Sequence, residues 1–333
     1  MRLLYFLSSV ALCASACTKQ QENVVHVYSG RHYAVDEQLY EAFTQKTGIQ
    51  VLVSKGKGDE LLQKIDSEGK LCPADLFIST DIAVITQAKN KNLLQKYQDT
   101  AIENLIFQDQ DHFWVGLSAR ARVLAVRKDE NVDLENYQDL AKPFWKGKVL
   151  TRSSENSYNQ ALMASFVAHW GKDSTLAWAK AVVDNFAREP KGNDRDQLKD
   201  LAAKIGDVAI VNTYYVGGML HSENPQEIEV AKSVRLIFPN QSTTGTHVNI
   251  SSMAIPQYAP HSEAAKQLIA FLLEKEQQEK IAATNFEFPN VKTAEIPKVM
   301  QDWGTFKMDT LGLQTLGNFS RVAVTIFDQA KWQ

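Results

Sequence analysis

From residue 24 the chain alternates short β-branched and aromatic runs with segments whose apolar positions recur every three to four residues. Residues 24–28 read as a strand. Val35, Leu39 and Phe43 then fall one helical turn apart, and the run stops at Gly48, a glycine-terminated helix. Residues 49–53 form a second strand pattern. Asp59 is read as the cap of a helix carrying Leu61, Leu62 and Ile65 that ends near Gly69; 75–78 is a third strand, with a helix at 81–89. Strands alternating with helices imply crossover units and a mainly parallel sheet with helices on both faces.

The pattern restarts further on. Residues 148–151 and 207–211 are strand-like, and 159–170 is a helix with Leu162, Phe166 and Trp170 on its apolar face, where His169 reads as a core histidine. Segments 115–126 and 246–255 are placed to cross between the two sets. The expected architecture is therefore α/β with two interleaved lobes and a cleft: 24–116 with 250–295, and 117–249 with 296–333. Residues 263–281 read as one long amphipathic helix, with Ala264, Leu268, Phe271 and Leu272 toward a core and a solvated Lys-Glu-Gln end.

Length and charge narrow the picture. A chain of 333 residues suits two domains of ~150 residues. With 36 Lys and Arg against 39 Asp and Glu, the net charge is −3, so no bulk positive field exists to hold a nucleic acid. Met1-Arg2, the apolar stretch 3–12 and Ala14-Ser15-Ala16 read as a signal peptide over 1–16, too short to span a bilayer. The next residue is Cys17. A small-small-Cys ending also marks lipoprotein precursors, so 17–23 is read as a tether lipidated at Cys17, with plain release as the alternative. Cys72 receives no role.

No G-x-S-x-G, H-E-x-x-H, G-x-x-x-x-G-K-[ST] or G-x-G-x-x-G motif is present, and Gly56-Lys57-Gly58 reads as a turn before a helix. What stands out is a set of tyrosines at one kind of location. Arg31-His32-Tyr33, Asn156-Ser157-Tyr158 and Asn212-Thr213-Tyr214-Tyr215 each follow the carboxyl end of a strand, the edge at which open α/β sheets bind ligands. A phenol becomes an anion only beside strong positive charge, and a phenolate is a hard oxygen donor. Hardness matching favours a small trivalent ion, of which ferric iron is the biologically common one. Four phenolates and one imidazole around it leave a charge of −1, for Arg31 or Arg120 to balance. Adjacent tyrosines in regular structure point apart, so irregular backbone at Gly217-Gly218 is expected to turn both phenols to one side. Tyrosines at strand ends are also common core and rim residues. The residues alone therefore leave a metal cleft, a small-ligand cleft and a structural use open.

Together with Tyr28-Ser-Gly-Arg-His-Tyr33, Trp145-Lys-Gly-Lys148, Arg152-Ser-Ser-Glu-Asn-Ser-Tyr-Asn-Gln160, Lys191-Gly-Asn-Asp-Arg-Asp-Gln197 and Gly206-Asp-Val-Ala-Ile-Val-Asn-Thr-Tyr-Tyr215, the sequence resembles the ferric-iron-binding proteins of bacterial ABC importers. These form the transferrin-like branch of the periplasmic binding proteins, and the resemblance is to the subgroup using one His and four Tyr without an anion. It implies a two-lobe, type II periplasmic-binding-protein fold holding Fe(III). His32 and Tyr33 would come from one lobe and Tyr158, Tyr214 and Tyr215 from the other. It further implies a periplasmic monomer that delivers iron to a membrane permease and its ATPase, with no catalysis. Other branches add a carboxylate, near which Asp59 and Glu60 stand here, and an anion, for which Arg120, Ser153 and Ser154 stand ready. The competing readings are the same fold binding thiamine, a polyamine or a phosphonate, and an enzyme using Tyr158 or Tyr214 with Asp59 or Glu60.

Overall fold

The computed structural model describes residues 23–103, 105–309, 311 and 313–333; the leader at 1–16 and Cys17 lie outside them. The first half runs β1 (Val24–Ser29), α1 (Ala34–Thr47), β2 (Gln50–Lys55), α2 (Gly58–Glu68), β3 (Leu76–Ser79), α3 (Ile82–Asn90) and β4 (Val115–Arg127). Next come β5 (Val149–Leu150), α4 (Ser157–Trp170), α5 (Lys172–Val183), α6 (Asp194–Ala202), β6 (Val208–Asn212), α7 (Thr213–Leu220), α8 (Pro225–Ser233) and β7 (Val234–Ile237). The chain finishes with β8 (Val248–Ala254), α9 (Ser262–Leu272), α10 (Lys275–Asn285), β9 (Phe288–Pro289), α11 (Lys298–Gln301) and α12 (Leu313–Ala330).

The strands order as β2-β1-β3-β8-β4-β6-β5, with β7 and β9 added to β4. Pairing is parallel in both crossover regions, β1 with β2 and β3, and β5 with β6. Along β4 it is antiparallel, which makes the whole sheet mixed. β4 is the structural spine. Its 13 residues are all buried; Val115 to Ala121 pair with β8, while Arg122 to Val126 pair with β6. One continuous strand thus serves both lobes. Its period-2 alternation sends Ser118, Arg120 and Arg122 to one face and Leu117, Ala119, Ala121 and Val123 to the other.

Local chemistry explains most element ends. α1 stops at Gly48, which takes φ 75° and donates its N–H to the Thr44 carbonyl. Asp81 caps α3 by accepting from the Ala83 N–H. Asp59 does not cap α2: Lys57 occupies that position and Asp59 sits in the first turn, where its charge faces the helix N-terminus. The segment 263–281 is two helices, because Glu274 is extended (φ −60°, ψ 141°) and starts α10 afresh. The break turns Gln278 inward, where it donates to the Leu117 and Leu272 carbonyls and accepts from the Asn290 N–H, so that end is not a solvated face.

Among the described residues, three apolar clusters form the core. One lies under α1 and α9, around Leu39, Phe43, Leu76 and Phe271. A second joins α4, α5 and α12 around Phe166, Trp178 and Phe327. The third, around Phe77, Ala121, Val211 and Phe286, runs beneath the cleft. α12 packs on α4 and α5 and also on α3, where Gly317 lies against Thr86, so the C-terminal helix touches both lobes. His169 is half-buried and bonds Asp309 at 2.8 Å.

Gly217 matters for packing. A Cβ there would stand 2.4 Å from Phe286 Cγ, so α7 reaches the residues before β9 only because this position has no side chain. Gly217→Ala is expected to lower unfolding stability by about 1–3 kcal/mol through overpacking. An unchanged urea midpoint would show that Phe286 moves aside freely.

Candidate metal centre

Each of the four tyrosines singled out above stands at the start of a helix. Tyr33 is the N-cap of α1, Tyr158 lies in the first turn of α4, and Tyr214 and Tyr215 lie in the first turn of α7. β1, the loop after β5, and β6 deliver these three helices to one place. The positive ends of three helix dipoles therefore converge on the phenols. α7 is regular helix from Thr213, so no irregular backbone turns the Tyr pair. Both rings reach the cleft because first-turn side chains at the mouth of a helix all look out over its end; they stack at 4.3 Å.

His32, Tyr33, Tyr158, Tyr214 and Tyr215 line one cavity of about 490 Å3, with Arg195, Gly218, His221 and residues 283–286 on its other walls. The Tyr158 and Tyr214 hydroxyls are 3.2 Å apart. Tyr33 meets Tyr214 edge-on at 6.3 Å and stacks with His32 at 5.4 Å. A second cavity of about 940 Å3 shares His32 and Tyr158 with the first and is lined by Arg31, Asp59, Glu60, Ser153 and their neighbours. Ser154 lines neither. Its N–H donates to the Gln333 carbonyl and its own carbonyl accepts from Gln160 Nε2.

The charge around the phenols is built from buried arginines. Arg31 lies 4.6 Å from the Tyr33 ring centre but is fully engaged, bonding Asp36, Glu287, Ser118 and Ser251. Its charge is already shared with two carboxylates, which leaves less of it to offset further anions. Arg120 is different. It is buried, donates Nη2 to the Thr80 carbonyl, and leaves Nε and Nη1 without partners. Its guanidinium is 5.1 Å from the Tyr158 ring centre, and it makes no ion pair with any described residue. Sequence reasoning missed a further assembly. Asp194, fully buried, bonds Arg122 at 2.6 Å, stands 3.6 Å from Arg152 and accepts the Asn212 N–H. Arg122 and Arg152 lie 6.0 and 5.5 Å from the Tyr158 ring centre, and Arg152 reaches the Tyr215 hydroxyl at 3.5 Å. The alternation in Ser118-Ala-Arg-Ala-Arg122 carried a signal for two of these positions.

Three of the phenols are raised above their ordinary pKa of about 10, chiefly by burial. Glu287 and Tyr158 add to the rise at Tyr33, while Arg31 and Arg120 oppose it. Burial works against the charge of Glu287, yet Arg31 and Arg120 hold it below the usual carboxylate range. Among the described residues no group of three or more His, Cys, Asp and Glu could hold a metal, so the donors gathered here are phenolic. Cys72 lies apart; it is buried, and burial pushes its thiol to about 11.

A cleft between two α/β lobes, lined by side chains from both halves of the chain, is the architecture of a binding protein. Over residues 72–308 the chain matches the bacterial extracellular solute-binding proteins, and it belongs to that family. It is 40% identical over 323 residues to iron uptake protein A1 of Synechocystis, covering 96% of this chain and 90% of that one. It is 28% identical over 290 residues to the major ferric iron-binding protein of Neisseria meningitidis, covering 84% and 85%. Trichodesmium IdiA (FutA), solved in complex with iron and citrate ligands, matches with a TM-score of 0.88 at 38% identity, over 93% of this chain and all of that one. These relatives are solute-binding transport proteins, and this chain is likewise no enzyme.

The raised phenols fix a pH dependence. In the unfolded chain they ionise near pH 10, and in the folded metal-free protein higher. Their contribution to stability is therefore fully present below about pH 10 and is lost as pH rises beyond it. The midpoint of unfolding should fall between about pH 9 and about pH 11, and should fall less in the Tyr33→Phe, Tyr214→Phe, Tyr215→Phe triple variant. Parallel curves for the two proteins would mean the phenols are not the source.

Proposed function

We propose that this protein binds ferric iron in the cleft through the phenolates of Tyr33, Tyr158, Tyr214 and Tyr215 and the imidazole of His32. The observation that carries the reading is the convergence of these five side chains, from three helix N-termini, on one cavity. Fe(III) with four phenolates carries a charge of −1, and the unpaired Arg120 with Arg152 at the Tyr215 hydroxyl supplies the compensating field. The iron uptake and ferric-binding relatives support the same cargo. The inner cavity wall carries no Asp or Glu, which a polyamine would need for its ammonium groups. Asp59 and Glu60 line the second cavity, and in this reading neither ligates iron.

The chain works in the periplasm and hands iron to a membrane permease driven by its ATPase, as a monomer held near its transporter by lipid on Cys17. The lobes divide as 24–116 with 250–295 and 117–249 with 296–333; the switch of partners along β4, from β8 up to Ala121 to β6 from Arg122, supports a boundary within that strand.

Adding ferric citrate to the metal-free protein should produce a visible tyrosinate-to-iron charge-transfer band at one iron per chain. Each phenol releases a proton on ligation, so affinity for the free ion weakens as pH falls, by up to about tenfold per phenol per pH unit. Tyr214→Phe with Tyr215→Phe should abolish tight binding. Retention of the band in that double variant would make the pair structural, and no band in the parent protein would overturn the cargo.

A further inference from the structure

Helix α7 presents a second metal donor to the cavity, seven residues beyond the first phenol. Tyr214, Gly218 and His221 stand at i, i+4 and i+7, so they share one face of the helix, and all three line the cavity. Over that interval the helix rises about 10 Å. Gly218 sits between the phenol and the imidazole with no side chain to block the way, its Cβ position meeting only Arg195 Nη2 at 3.3 Å. Arg195 in turn is neutralised by Glu227, which Lys199 and Ser222 also hold.

The ring of His221 is fixed. Its Nδ1 lies 3.0 Å from the Gly217 carbonyl oxygen, and since a carbonyl only accepts, Nδ1 carries the proton. The neutral ring then bears its lone pair on Nε2. Phe286 stacks on the ring at 4.7 Å and 29°, so two contacts hold the orientation. This is the arrangement by which a metal-binding histidine is oriented, one nitrogen bonded to a carbonyl and the other free. The residue is exposed and caps the C-terminal end of α7, where the helix dipole favours a cation, whereas the phenols occupy the N-terminal end, where it favours anions.

We infer that His221 is the outer station of the metal path: its Nε2 takes ferric iron at the mouth of the cavity and passes it along the Gly218 track to the phenols. The step is ligand exchange without redox change. One carboxylate oxygen of an incoming ferric carboxylate chelate leaves as Nε2 donates its pair, and the iron stays ferric.

This rests on the ferric reading above, and stopped-flow mixing with ferric citrate separates the two. If the parent protein forms no charge-transfer band, the cargo reading fails, whatever His221 does. If the parent loads, His221→Ala should load about tenfold more slowly to the same final band, and free imidazole should restore the rate. Gly218→Leu, which keeps the imidazole and fills the track, should also load slowly. Unchanged loading in His221→Ala overturns the inference. So does slow loading that imidazole fails to rescue and that comes with a lowered melting temperature, because the ring would then serve packing on Phe286.

Discussion

A phenol surrenders its proton near neutral pH only where positive charge is concentrated, and the cleft is organised around that constraint. Burial alone drives the Tyr33, Tyr214 and Tyr215 phenols the other way, toward the neutral form. The protein can therefore fold with uncharged phenols packed against one another, at no cost in buried anions, and can still present oxygen donors. In the proposed reading, what tips the balance on binding is the ion itself, assisted by Arg120, Arg122 and Arg152 around the Tyr158 ring and by three helix N-termini. Each helix end contributes only about 0.3–1 kcal/mol, so the trivalent charge is the dominant part.

Holding two buried guanidiniums, Arg120 and Arg122, beside the half-buried Arg152 is itself demanding, since a buried charge without a partner costs several kcal/mol. Asp194 meets that demand for Arg122 and Arg152. It opens α6, accepts the backbone N–H of Asn212 just before Tyr214, and so ties the arginine positions to the phenol-bearing helix. Arg31 plays the equivalent role in the other lobe, where Asp36 of α1 and Glu287 before β9 fix the loop that carries His32 and Tyr33. Both ion clusters hang from β4, through Ser118 and Arg122. The strand that joins the lobes is also the one that positions the charges in each.

Much of this was legible from residues. The crossover strands, the helices ending at Gly48 and near Gly69, and the placement of His32, Tyr33, Tyr158, Tyr214 and Tyr215 at strand ends follow from period and position. The turn at Glu274 was not legible, because Lys275 to Asn285 keeps helical spacing across a break made by one extended residue. Nor was the partner of Arg31, since Glu287 lies 256 positions away and only the fold brings them together. Asp194 stood only inside the quoted Lys191-to-Gln197 segment and received no role there. Its burial depends on α6 packing against β6, which local pattern does not encode. Strand-end position located the Tyr-Tyr pair, but the bent backbone expected at Gly217-Gly218 is regular helix, and the helix mouth does that work instead.

In the proposed reading, the division of donors decides where closure draws its energy. Tyr158, Tyr214 and Tyr215 all sit on elements paired to the second half of the sheet, so they meet an ion equally well whether the lobes are apart or together. Bonds common to both states shift nothing between them. Only His32 and Tyr33, carried by the loop between β1 and α1, distinguish a closed cleft from an open one. Moving a population from about 1:99 to about 99:1 needs roughly 10⁴-fold preference, near 5.5 kcal/mol, and these two ligands have to supply it. A permease that pries the first lobe away would need to break only those two bonds, leaving the iron on three phenols at the open face.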